Sequence, residues 1–137
     1  MSDKEIKPEQ LADPEYTPPM AQAVPLGIQH VLAMFAGNVT VPLLIALAAG
    51  GPQLITPLVQ IALLAAGVAT LIQTIGIGPI GSRLPVVQGT SFAYVGILIG
   101  ALKSGATLAA VFGASIIGGL FQIVLGFFIP QIRKYIP

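Results

Sequence analysis

The side chains best suited to hold a ligand are a few uncharged polar residues within long apolar stretches. Gln29 and His30 are adjacent near the start of the first stretch, Asn38 lies near its middle, and residues 88–92 (Gln-Gly-Thr-Ser-Phe) open the third. With a single histidine and no cysteine, the chain has no catalytic set of residues and no metal-ligand cluster. We therefore predict no enzymatic activity, no cofactor and no metal site.

Charge is confined to a few positions. All five acidic residues lie between Asp3 and Glu15, and no carboxylate side chain follows them. A mechanism that needs a carboxylate within the membrane therefore cannot be completed by this chain alone. The net charge is +1 and the basic residues form no cluster, so a nucleic-acid partner is not expected.

The composition predicts an integral membrane protein in a lipid bilayer. Of the 137 residues, 55% are hydrophobic and 8% charged, whereas a soluble domain has about 25% charged residues. A helix needs about 20 apolar residues to span a bilayer. We predict an all-α membrane protein with a disordered tail and about four transmembrane segments: the tail at 1–24, and the segments at about 25–49, 55–76, 86–102 and 105–129.

The third segment differs from the others. Residues 85–89 are rich in β-branched side chains and too few for a helix, and the N-cap formers Thr90 and Ser91 follow them. Phe92–Leu102 then covers about half of a bilayer at roughly 1.5 Å per residue. We predict a short extended strand followed by a half-helix. Extended backbone at membrane depth must be buried in protein or line a cavity.

The basic residues predict the orientation. With the tail in the cytoplasm, Lys103 alone is outside, and the basic residues inside are Lys4, Lys7, Arg83, Arg133 and Lys134. We therefore predict a multi-pass protein of the plasma or inner membrane with a cytoplasmic N-terminus. Arg83 and Lys103 are interpreted as interface anchors.

The remaining polar and small residues in the apolar segments are interpreted from their type and spacing. Gln29 and His30 either organise a ligand site or bond one helix to another. Asn38 is interpreted as a polar contact between helices. In the fourth segment, the pairs Ala114/Gly118 and Ser115/Gly119 have the spacing of close helix packing.

The start of the half-helix carries the main site hypothesis. A helix that begins in mid-membrane directs free N–H groups and a positive dipole end at whatever precedes it, and transporters bind ligand groups at such breaks. The Phe92 ring could stack on a planar ligand there. The alternative is a structural segment in which Phe92 belongs to the core.

Two motifs resemble one known family. Leu26–Gly37 (Leu-Gly-Ile-Gln-His-Val-Leu-Ala-Met-Phe-Ala-Gly) resembles the first-span Gln-His motif of the nucleobase–ascorbate transporters, the xanthine/uracil permeases. Arg83–Tyr94 resembles the third segment of the same family. The resemblance implies the N-terminal part of a 7+7 inverted-repeat transporter, with residues 25–137 forming the first half of its core domain.

The resemblance also implies substrate, partners and site residues. A purine such as xanthine or uric acid is favoured over uracil, with a proton or another cation as coupling ion and a homodimer for the full-length protein. Phe92 maps onto the ring that contacts the base, with Ser91 beside it. Gly37 maps onto a small residue near the base, and Gln29 and His30 onto the pair that helps to organise the site.

The chain departs from the family in length. The family's substrate-binding and proton-coupling carboxylates lie in later segments, so the main hypothesis is a fragment of a longer permease. The alternative is a small helical membrane subunit for assembly or regulation, with no transport of its own. A homo-oligomer of short chains is disfavoured because the basic residues specify one orientation.

Overall fold

The computed structural model describes residue 13 and residues 16–132, without the side chains of 130–132. Most of the predicted tail and the basic residues Lys4, Lys7, Arg133 and Lys134 lie outside the described residues. The described part is helical, with four α-helices: α1 (Met20–Ala49), α2 (Ile55–Ile75), α3 (Val95–Lys103) and α4 (Leu108–Ile132). A 3₁₀ turn precedes α2 at Pro52–Leu54, and another precedes α3 at Phe92–Tyr94.

Three helices are long and apolar enough to cross a membrane: Met20–Ala49, Pro52–Ile75 and Leu108–Ile129. The fourth apolar helix, Phe92–Lys103, is shorter and extends about 18 Å at 1.5 Å per residue. A helical membrane protein with several segments was predicted from length and composition, and this coarse prediction is confirmed.

Helix α1 begins five residues before the predicted start at residue 25. Pro19 is its N-cap, and its carbonyl oxygen accepts hydrogen bonds from the N–H groups of Gln22 and Ala23. Pro25 therefore lies inside the helix, where it is tolerated because it is still near the N-terminus and loses a single backbone hydrogen bond. Thr40 donates to the carbonyl of Ala36 at 2.7 Å within the same helix.

The core of the described fold lies along one face of α1. Its buried residues have helical spacing and are Asn38, Val41, Pro42, Ile45 and Ala46. This face packs against α2 and α3, whereas α4 packs against α3. Most large apolar side chains of α2 and α4 are exposed, as expected of helices that face lipid or further protein segments.

A tight turn joins α2 to the third segment. Ile77 and Ile80 exchange two backbone hydrogen bonds of 2.8 and 3.1 Å. The N–H of Arg83 then donates to the carbonyl of Gln73 at 3.1 Å. Gly81 has a φ of +93°, and a Cβ there would meet the backbone of α2. The turn therefore requires glycine at this position and folds the chain back along α2.

The predicted strand at the start of the third segment is not formed among the described residues. Residues 84–91 have no regular secondary structure, although Ser91 is extended with φ −109° and ψ 129°. A strand needs the backbone of a neighbouring strand, and here side chains of α1 and α2 take the hydrogen bonds instead. The helix that follows begins at Phe92, the residue at which the sequence predicted a helix start.

Candidate functional site

An open cavity of about 540 Å³ lies between α1 and the start of the short helix. Two turns of α1 line one side, and the irregular segment lines the other: Ala33, Met34, Gly37, Asn38, Val87, Gln88, Gly89, Thr90, Ser91 and Phe92. No charged side chain is in this lining. The cavity thus suits a neutral polar ligand, and it brings together three of the five predicted site residues.

The helix start at Phe92 forms the end of this cavity. The hydroxyl oxygen of Ser91 accepts the N–H of Ala93 at 3.3 Å and caps the first turn. The Phe92 ring is 56% exposed, so it does not belong to the buried core of the described residues. Its Cε2 atom lies 3.9 Å from the position that a Cβ of Gly37 would occupy. The ring therefore stands beside the open surface of Gly37.

Two side chains from neighbouring helices hold the irregular segment. Thr70 of α2 accepts the backbone N–H of Gln88 at 2.9 Å, and its hydroxyl lies 3.5 Å from the Gln88 carbonyl. Asn38 of α1 accepts the backbone N–H of Thr90 at 2.7 Å through Oδ1. Both contacts satisfy backbone groups that lipid could not. They fix the chain four and two residues before Phe92.

The Thr90 side chain adds a second contact with α1. Its hydroxyl lies 3.1 Å from the carbonyl of Gly37 and 3.1 Å from Oδ1 of Asn38. Gly89 fits against the same amide, because a Cβ there would come within 3.0 Å of Nδ2 and closer still to Oδ1. Asn38 therefore makes the inter-segment contact that the sequence predicted for it, and in addition it lines the cavity.

Gln29 and His30 do not line this cavity. Both are exposed on α1, and neither side chain is hydrogen-bonded to any residue within the described range. His30 precedes the lining residues Ala33, Met34 and Gly37 by three, four and seven positions, which places it on the same helix face. The structure thus separates the Gln-His pair from the Ser91–Phe92 end of the cavity by at least one helical turn.

A smaller cavity of about 280 Å³ lies on the α2 side of the irregular segment. Four alanines of α2 line it at helical spacing, together with the segment itself: Ala62, Ala65, Ala66, Ala69, Gln88, Gly89 and Thr90. Residues 88–90 are thus open on two sides. Among the residues that the structure describes, no group of His, Cys, Asp or Glu could hold a metal ion.

Sequence reasoning missed the role of Thr70. It is a polar residue in the middle of a long apolar stretch, which is a signal for a hydrogen-bonded contact, but nothing in the sequence identifies Gln88 as its partner. The two residues are 18 positions apart. Asn38 and Thr90 are 52 positions apart, so their pairing also requires the tertiary structure.

Comparison with known proteins supports one family. The xanthine/uracil permease model, described as Permease family, matches residues 21–137. The xanthine permease of Bacillus subtilis is 40% identical over 113 residues, which cover 82% of this chain and 26% of the relative. A putative purine permease of Clostridium perfringens is 37% identical over 119 residues, covering 86% of this chain and 26% of the relative.

A third relative differs in its named substrate. The uric acid transporter UacT of Escherichia coli is 39% identical over 115 residues, covering 82% of this chain and 23% of the relative. The chain thus spans about a quarter of the length of these relatives. No solved structure matches the chain.

Proposed function

Because this chain belongs to the xanthine/uracil permease family, we propose that it takes part in nucleobase transport as the N-terminal part of a longer permease. Family members are transporters and not enzymes. The observation that carries the proposal is the uncharged cavity in which Gly37, Ser91 and Phe92 meet. A nucleobase is planar and rich in hydrogen-bonding groups, which are the properties that this cavity accommodates.

The proposed roles of the cavity residues follow from their positions. Phe92 offers a half-exposed ring on which a base stacks. Its backbone N–H and that of Ser91 belong to a helix start, where N–H groups lack intrahelical partners and favour an acceptor such as a base carbonyl. Gly37 has no side chain beside the ring, so Phe92 lies close to α1, with Cε2 3.9 Å from the position that a Cβ of Gly37 would occupy. A base therefore stacks on the exposed part of the ring and not between the ring and Gly37.

The Gln29–His30 pair is assigned an indirect role. It lies on the same face of α1 as the cavity but one turn or more from Ser91. We propose that it organises the entrance of the site or the segments that close it, rather than stacking with the base. Its exposed position leaves both side chains available for such contacts.

The relatives favour a purine as the substrate. Three of them are named for xanthine, purine or uric acid, and a bicyclic purine stacks over a larger area of Phe92 than uracil does. A proton or another cation is the proposed coupling ion. Since no charged group lines the cavity, we assign the coupling carboxylates to other segments of the permease.

We place the chain in a 7+7 inverted-repeat architecture with its N-terminus in the cytoplasm, and the full-length protein in the plasma or inner membrane as a homodimer. The unpaired backbone at residue 89 supports the presence of a further segment, as this architecture requires. Gln88 and Thr90 form backbone hydrogen bonds with Thr70 and Asn38, whereas the backbone groups of Gly89 form none within the described residues. A further segment would complete this edge.

Uptake of labelled bases tests the proposal. We would express the chain in bacteria that lack purine permeases, both alone and together with the part of the Bacillus subtilis xanthine permease that the chain does not match. The second combination is called the complemented chain. The complemented chain is expected to take up xanthine, and the chain alone is expected to take up none. Co-purification of the chain with an unrelated membrane protein, without base uptake in either case, would instead support a small assembly or regulatory subunit.

A further inference from the structure

The amide of Asn38 uses only one of its two hydrogen-bonding groups, the oxygen Oδ1. The side chain is 2% exposed, and its Oδ1 accepts the backbone N–H of Thr90 at 2.7 Å. Its Nδ2 is also buried, but it has no hydrogen-bond partner among the residues that the structure describes. A buried amide N–H₂ without a partner is costly, so Nδ2 is expected to have an acceptor when the protein works.

The orientation of this amide follows from its neighbour. A backbone N–H can only donate, and the N–H of Thr90 faces the amide of Asn38. The atom opposite it must therefore be the oxygen, because a rotated amide would oppose two donors. Nδ2 is therefore the donor without a partner among the described residues.

The residue that carries this donor lies at the cavity between α1 and the short helix. Asn38 lines this cavity together with Gly89, Ser91 and Phe92. Glycine at position 89 leaves the amide without a covering side chain, because a Cβ there would come within 3.0 Å of Nδ2 and closer still to Oδ1. Since Nδ2 is buried, an acceptor on a ligand in the cavity reaches it only after the amide moves toward the cavity.

We propose that Nδ2 of Asn38 donates a hydrogen bond to a carbonyl oxygen of the bound purine and so helps to select the base. This inference rests on the proposed function. Stacking on Phe92 tolerates any base, because every base has a π-face. Asn38 instead selects for one exocyclic oxygen. A base with an amino group at that place would oppose two donors and be rejected.

Three purines separate this contact from a structural role. Xanthine has two exocyclic oxygens, hypoxanthine has only the 6-oxygen, and 2-hydroxypurine has only the 2-oxygen. We would measure the apparent KM or inhibition constant of each for the complemented chain and for the Asn38→Leu variant. Asn38→Leu also removes the acceptor of the Thr90 N–H, so the affinity for all three purines is expected to fall. The affinity for xanthine and for one of the other two purines should fall by about tenfold more than that for the purine that lacks the contacted oxygen.

Two further variants act as controls. Thr90→Val removes the hydroxyl beside Asn38 but leaves Nδ2 intact, so its effect is expected to be equal for all three purines. Asn38→Ser retains an oxygen acceptor for Thr90 but lacks Nδ2. This variant replaces Asn38→Leu if Asn38→Leu does not reach the membrane. It is expected to give the same selective loss.

The outcomes distinguish the two proposals. If the unmodified complemented chain takes up xanthine but both Asn38 variants weaken all three purines equally, Asn38 is a structural residue and this inference is wrong. Equal affinities in variant and unmodified chains would overturn it as well. If the unmodified complemented chain binds and takes up none of the purines, the proposed function fails and this inference fails with it.

Discussion

Glycines lie both in the segment before the short helix and along α4, but their surroundings differ. A Cβ at Gly89 would collide with the amide of Asn38, and one at Gly37 would contact the Phe92 ring. On α4, apart from the adjacent residues and the helix's own backbone, no atom of the described residues lies within 4 Å of the corresponding positions at Gly118 and Gly119. Glycine thus permits close approach in the first region, whereas on α4 it borders open space.

The same contrast holds for hydrogen bonds. Around the cavity, Asn38 and Thr70 bond to a segment that is distant in the sequence. On α4, the side chain of Gln122 bonds to another helical segment of the described chain, from Nε2 to the hydroxyl of Tyr94 at 3.0 Å. The cavity region therefore has a defined structure within the described residues. The outer faces of α4 must be covered by lipid or by further protein.

The largest effect is expected at Gly89. In Gly89→Ala the added methyl group overlaps Oδ1 of Asn38, which separates the amide from Thr90. Overpacking costs about 1–3 kcal/mol, and the lost hydrogen bond about 1 kcal/mol more. We expect the complemented chain to lose most of its xanthine uptake and part of its amount in the membrane. Uptake assays and quantitative immunoblots would measure both.

Gly96→Ala is the matched control, because apart from adjacent residues and the helix's own backbone no described atom lies within 4 Å of the added atom. It should retain normal uptake. Equal losses in the two variants would show that the contact of Gly89 with Asn38 does not matter.

The next effect is expected at Phe92. Phe92→Ala should weaken xanthine binding by roughly 1–3 kcal/mol, on the scale of base–aromatic stacking, and leave the amount of protein in the membrane unchanged because the ring is half exposed. The apparent KM of the complemented chain measures the first quantity. Phe35→Ala, at a ring of similar exposure outside the cavity, is the control. Loss of protein with an unchanged KM would assign Phe92 to the core instead.

The smallest effect is expected on α4. Gly118→Ala should raise stability by at most about 1 kcal/mol, the helix-propensity advantage of alanine over glycine, since the added methyl group meets open space. Thermal aggregation of the detergent-solubilised complemented chain would measure it. A large loss of stability would reverse the comparison, because it would show that α4 packs closely on a segment outside the described residues.

Much of the helical fold was predictable, because span length and composition are local properties. Pro85, the short β-branched run and the N-cap formers before Phe92 likewise predicted a helix start at Phe92. The early start of α1 at Met20 was missed, since Pro25 resembles a first helical residue. The strand was predicted but not formed, because its assignment depends on a partner that no local pattern supplies.

The candidate site was only partly predictable. Ser91, Phe92 and Gly37 were proposed together from a family resemblance, and the structure places them around one cavity. Gln29 and His30 were grouped with them, but they lie on a different turn of α1. The partners of Asn38 and Thr70 could not be predicted, because each contact joins residues far apart in the sequence.

The most direct test of the account is ligand protection at Ser91. The chain has no cysteine, so in Ser91→Cys a thiol reagent labels this chain at one place, next to Phe92 in the cavity. We predict that saturating xanthine slows alkylation of the complemented Ser91→Cys chain at least about fivefold. Ser104→Cys, in the exposed turn after α3, should be alkylated at the same rate with and without xanthine. If xanthine leaves the rate at Ser91→Cys unchanged while the chain still takes it up, the base does not bind in this cavity.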